Sequence, residues 1–170
     1  MKKNYSLIFL FLFSFSFVFS QVQLGNGTDT NQSLPIEPYY GYTYSQVIYT
    51  SAEINSSGDI SSVSYTATTE TTLASSSDWT VYMAHTSNSS FADGDSWEPI
   101  ENLTQMFSGT VSISDGVVTI PFDTPFSYNG TDNLVIAVEE NQAGYDSSVH
   151  DFYCTSTSDI RALTFFSDGT

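Results

Sequence analysis

The chain has 170 residues, with 19 Asp and Glu against three Lys and Arg, for a formal net charge of −16. So few cations leave almost nothing to neutralise phosphates, which argues against nucleic acid and equally against anionic membrane surfaces. The one cysteine, Cys154, excludes an internal disulfide, so the domain must rest on its apolar core.

The N-terminus reads MKKNYSLIFLFLFSFSFVFSQ. Lys2 and Lys3 precede a largely apolar run from Leu7 to Phe19, shorter than the roughly 20 residues of a spanning helix. Val18 and Ser20 are small enough for the −3 and −1 sites of a signal peptidase. A secretory signal over residues 1–20 is expected, cut before Gln21, giving a secreted or cell-surface protein with no membrane insertion. Arg161 is then the only Lys or Arg left against 19 carboxylates, a balance of −18. The acids are spread along the chain, which suits solubility in salty water or a role for calcium.

Residues 21–34, QVQLGNGTDTNQSL, read as a polar N-terminal segment or linker. From residue 35 onward the dominant period is two. QVIYTSAEI alternates, with Ile48 and Ile54 on one face. ISSVSYTAT aligns Val63, Tyr65 and Ala67, and WTVYMAHT aligns Trp79, Val81 and Met83 before His85. MFSGTVSI groups Phe107, Val111 and Ile113, and VVTIPF groups Val118, Ile120 and Phe122, with Pro121 expected at a strand end. NLVIAVEE is apolar at every position from Leu134 to Val138, which predicts a central strand covered on both faces. VHDFYC, ending in an expected buried thiol at Cys154, and RALTFF complete the set. Gly, Asn and Asp turns at 56–59, 92–95, 114–116 and 128–133 separate the runs. The fold class predicted is all-β: an antiparallel, jelly-roll-like β-sandwich over residues 35–170. The apolar strand ending in SDGT predicts a further strand beyond Thr170, hence a domain truncated at its C-terminal edge.

Three places carry candidate sites. In PIEPYYGYTYSQ, an extended backbone would put Tyr40, Tyr42 and Tyr44 on one face at about 7 Å intervals, with Tyr39 opposed. Such rings either stack on a sugar or close one end of the sandwich. The expectation is an entrance to the fold with one or two rings exposed. In FADGDSWEPIEN, Asp93, Asp95, Glu98 and Glu101 surround a Gly turn. Alternating carboxylates there either converge on calcium or form a solvated Asp-Gly turn, and the spacing is not that of an EF-hand. Asp93, Asp95 and Glu98 are the candidate calcium ligands. Trp97, beside this loop, reads as a core residue or a stacking ligand contact. Calcium is the one cofactor suggested.

No catalytic centre is expected. His85 ends a strand face, and Ser148, His150 and Asp151 lie too close along one extended run to face one another. Glu139 and Glu140 are adjacent and point apart, and no zinc or nucleophile-elbow motif occurs.

The order IEPYYGYTYSQVIYTSAEI, WTVYMAHTSNSSF, WEPIENLTQMFSGTV, VTIPFDTPFSYNGTDNLVIAVEEN, YDSSVHDFYC resembles a module of secreted flavobacterial (Bacteroidota) multidomain proteins, over roughly residues 24–168. It is similar to the jelly-roll domains of cleaved adhesins and carbohydrate-binding modules. The resemblance implies export by the type IX route, although no sorting domain follows Thr170. It also implies a non-catalytic binding or adhesion role toward glycans or cell-surface proteins, and it carries no catalytic residues. The alternatives are a structural spacer presenting neighbouring domains and a small glycoside hydrolase with two carboxylates from distant strands.

Overall fold

Period-two alternation in this chain builds two antiparallel sheets that bury their apolar faces against each other. The computed structural model describes residues 21–69, 72–146 and 151–169. The expected signal segment 1–20, together with Ser148 and His150, lies outside the described residues. Ten strands occur among the described residues: β1 (Asp29–Asn31), β2 (Tyr42–Tyr49), β3 (Gly58–Thr66), β4 (Asp78–Thr86), β5 (Thr104–Thr110), β6 (Ile113–Ser114), β7 (Val117–Tyr128), β8 (Asn133–Glu140), β9 (Phe152–Cys154) and β10 (Ala162–Ser167). A five-stranded sheet has the order β10-β2-β8-β4-β5, a three-stranded sheet has β3-β7-β6, and β1 and β9 form a two-stranded ribbon. All the pairings are antiparallel. The protein is an all-β sandwich with unequal sheets.

The main core lies between the sheets. Trp79, Val81 and Met83 of β4 and Leu134, Ile136 and Val138 of β8 meet Val118, Ile120 and Phe122 of β7. Each such side chain contributes about 1.5–3 kcal/mol by leaving water. Buried Trp79 keeps its indole N–H satisfied by the Ser76 carbonyl at 2.7 Å. A second apolar cluster covers the opposite face of the larger sheet. Ile48, Ala84, Val135 and Leu163 pack there against Phe91, Trp97 and Leu103 from the 87–103 loop. Strand β8 is therefore central and covered on both faces, as its unbroken apolar run predicts.

Several local expectations change. QVIYTSAEI is not one strand, because β2 stops at Tyr49 and α1 (Ser51–Ile54) follows as a single turn. Its capping box is complete: Thr50 accepts from the Glu53 N–H and Glu53 reaches back to the Thr50 N–H. Glu53 also accepts from Arg161 Nη2 at 2.6 Å, while the same guanidinium donates to the Ile48 carbonyl. Burial alone would raise the Glu53 carboxyl, but the bonds from Arg161 and Thr50 prevail and hold it at about 2. Pro121 does not end a strand. It lies within β7, exposed, where the register against β3 jumps between Ile60 and Ser62. A bulged, partly unpaired stretch tolerates a residue with no N–H. The 21–34 stretch, read as a polar segment or linker, packs Leu24 on the core and contributes β1, which pairs with β9. Cys154 is only half-buried. The turn at Asp115–Gly116 has φ of 52° and 75°, the left-handed pair of a two-residue hairpin joining β6 to β7.

Of the two buried acids among the described residues, Glu37 and Glu140, Glu140 is the more deeply enclosed. Glu140 is 1% exposed and sits opposite Thr43 across the β2–β8 ladder. Its Oε1 accepts from the Gln142 N–H at 2.7 Å; Glu140 Oε2 and Thr43 Oγ1 have no hydrogen-bond partner among the described residues. Burial pushes the carboxyl up from 4.5 to about 8, despite the Gln142 bond, with Asp78 and Asp146 adding to the rise. The folded chain thus keeps a proton that the unfolded chain releases above about 4.5. Stability is expected to be fullest below 4.5 and to fall as pH rises to about 8. Denaturant titrations across that window should show the decline, and Glu140→Gln should flatten it.

Candidate functional site

The 87–103 loop leaves an open groove of about 440 Å³ on the outer face of the five-stranded sheet, lined by Tyr44, Tyr82, Trp97, Glu98, Pro99, Ile100 and Glu139. Alternation along the strands supplies its floor. Tyr44 of β2 stands opposite Glu139 of β8, and Thr80 of β4 lies on the other side of Glu139. On the next row Gln46, Ala137 and Tyr82 line up. Tyr44 and Trp97 form a ring pair with centroids 5.4 Å apart and planes inclined at 33°. Tyr82 Oη donates to Glu139 Oε2 at 3.2 Å. Burial pushes the Tyr82 hydroxyl up to about 12, with Glu139 adding to the rise, so it remains a donor at neutral pH. Burial raises the Tyr44 hydroxyl too.

The wall of the groove is held by Gln46, a polar side chain with no exposed surface. Its Oε1 accepts from the Glu98 N–H at 2.8 Å, and its Nε2 donates to the Glu98 carbonyl and to Tyr44 Oη, each at 2.8 Å. One amide thus satisfies both backbone groups of a loop residue, as a neighbouring strand would, and orients the tyrosine beside it. Nothing in the sequence pattern singles out Gln46. Its period-two relation to Tyr44 and Ile48 was the available signal.

The tyrosine stretch divides. Tyr42 and Tyr44 share the outer face of β2, but a turn over residues 38–41 carries Tyr40 off that face. Tyr40 instead packs on Phe166, with centroids 4.4 Å apart, and Tyr39 lies against Tyr40 and Tyr145. The expected row of three rings is not formed, because Pro38–Gly41 is not extended. Of Tyr40, Tyr42, Tyr44 and Trp97, only Tyr44 and Trp97 line the groove. Trp97 is half-buried and packs on the second apolar cluster.

The acidic loop is largely occupied with itself. Asp93 Oδ1 accepts from the Asp95 N–H at 3.0 Å and from Ser96 Oγ at 2.6 Å, which lowers its carboxyl from the ordinary range. Glu98 Oε1 accepts from Asn102 Nδ2 at 2.6 Å, and Glu98 is one of the residues lining the groove. Among the described residues no three His, Cys, Asp or Glu side chains are grouped to hold a metal ion. His85 stacks on Tyr128 at 5.7 Å, and its Nε2 accepts from the Asn129 N–H.

Two outcomes are expected. Gln46→Leu leaves the Glu98 N–H and carbonyl unpaired and should cost about 1–3 kcal/mol in denaturant unfolding, with Trp97 fluorescence shifting to longer wavelength. Millimolar calcium should leave the melting temperature unchanged, since the Asp93 carboxylate is already bonded within its own turn; a calcium-dependent rise would place a cation there. Comparison of the chain with protein-family models, with curated proteins and with solved structures gives no match.

Proposed function

We propose that the protein is a non-catalytic, extracellular binding module whose outer-face groove takes carbohydrate. The observation that carries this reading is the Tyr44–Trp97 pair: two inclined rings at the mouth of an open groove, beside the carboxylate of Glu139 and the hydroxyl of Tyr82. Sugars present apolar faces edged by hydroxyls, and aromatic rings flanked by fixed acceptors suit that surface. The signal-like N-terminus and the resemblance to secreted adhesin and carbohydrate-binding modules support an extracellular setting. Glu139 and Glu140 point to opposite faces of one strand, so this adjacent pair does not form the facing carboxylates that glycoside hydrolysis requires.

A glycan array probed with the secreted chain tests the reading. Retention of at least one oligosaccharide class is expected, and Trp97→Ala or Tyr44→Ala should reduce it by about tenfold or more, as loss of a stacking ring worth on the order of 1–2 kcal/mol implies. Retention that survives both substitutions would move the site elsewhere. A chain that folds and retains no glycan would leave a spacer as the reading.

A further inference from the structure

Among the described residues the groove is lined by no Lys, Arg or His, and the side-chain donors it offers are the Tyr44 hydroxyl and the Trp97 indole N–H. Its charged lining consists of the carboxylates Glu98 and Glu139. Among the described residues Glu139 receives one hydrogen bond, from Tyr82, and that bond commits the Tyr82 hydroxyl proton. Tyr44 Oη accepts from Gln46 and keeps its one hydroxyl proton to offer. Arg161, the only Lys or Arg after residue 20, is engaged at the far end of β2 with the Ile48 carbonyl and Glu53. A ligand that covers Glu139 must therefore supply donors and counter-charge itself. A neutral ring stacked there would desolvate the carboxylate without replacing its counter-charge, which is costly.

We infer that the groove selects a saccharide bearing free ammonium groups, a deacetylated amino sugar, with the ring face on Tyr44 and Trp97 and the ammonium against Glu139. This rests on the carbohydrate-binding reading above. An ammonium brings three donors and a charge, and the ring faces of Tyr44, Tyr82 and Trp97 attract it further. The acidic surface steers such a ligand from a distance, while uronic or sulfated sugars meet repulsion at the same carboxylates.

The test titrates the secreted chain at pH 5.5 and about 0.15 M salt, where exposed charges beyond ~8 Å are screened. The probes are an oligosaccharide of glucosamine, its fully N-acetylated counterpart, the glucose oligomer of equal length and a lysine oligomer. The glucosamine oligomer should bind about tenfold more tightly than the N-acetylated and glucose forms. Glu139→Gln should erase that preference while leaving the weaker, shared affinity, and Trp97→Ala should weaken all three sugars. Equal binding of the three sugars overturns the ammonium preference but leaves the carbohydrate reading intact; binding of none removes both. A preference unchanged in Glu139→Gln, or a lysine oligomer that binds as tightly as the glucosamine oligomer, assigns the effect to the acidic surface and overturns the inference. The preference is read first in the unaltered chain, so a poorly folding variant does not decide the outcome.

Discussion

Burial of β8 on both faces is the constraint from which the rest follows. A strand with Leu134, Ile136 and Val138 on one side and Val135 on the other must sit in the middle of a sheet with a layer above and a layer below. The three-stranded sheet supplies one layer. Among the described residues no strand supplies the other, and the 87–103 loop takes its place, laying Phe91, Trp97 and Leu103 over the outer face. A loop lacks the hydrogen-bond ladder that holds a sheet layer, so it needs other anchors. Gln46 grips Glu98 from beneath, and the Phe91 N–H bonds the Ile160 carbonyl.

The groove is a consequence of that substitution. The loop covers the outer face over Ile48, Ala84 and Val135, and only its edge at residues 97–100 borders Tyr44, Tyr82 and Glu139 further along the strands. Aromatic and carboxylate side chains are thus left beside the loop edge, half in solvent. The part of the sheet that is incompletely covered is the part that offers a binding surface, and the rigid ladder beneath holds its members in place.

Polar groups carry different jobs on the two faces. On the inner face, Glu140 and Thr43 oppose each other across the ladder, and burial pushes the Glu140 carboxyl up, with Asp78 and Asp146 adding to the rise. On the outer face, Glu139 is one residue away in sequence and remains beside solvent and the Tyr82 hydroxyl. The difference between two adjacent glutamates is the pleat of a strand. Arg161 acts as a staple at the other end of the sheet, tying the edge strand β10 to the end of β2 and to the capping box of α1.

Much of the fold was legible in the residues themselves. Alternation in WTVYMAHT and VVTIPF marks the inward faces of β4 and β7, the unbroken apolar run marks β8 as central, and Asp115–Gly116 marks a hairpin. These are local signals, and the period-two geometry of a strand converts them directly into sides. Less was legible where backbone direction changes. Whether Tyr40 shares a face with Tyr44 depends on the turn at 38–41, and whether Pro121 ends a strand depends on the register of β3 against β7. The sequence by itself determined that this is an acidic, disulfide-free β-sandwich and named Tyr44, Trp97 and Glu98 as residues of interest. Only the tertiary structure decided that these three meet Tyr82 and Glu139 in one groove, and that Gln46 holds it together. Such meetings join residues as far as 95 positions apart, and the register and loop path that bring them together are set by packing of the whole domain rather than by any one segment.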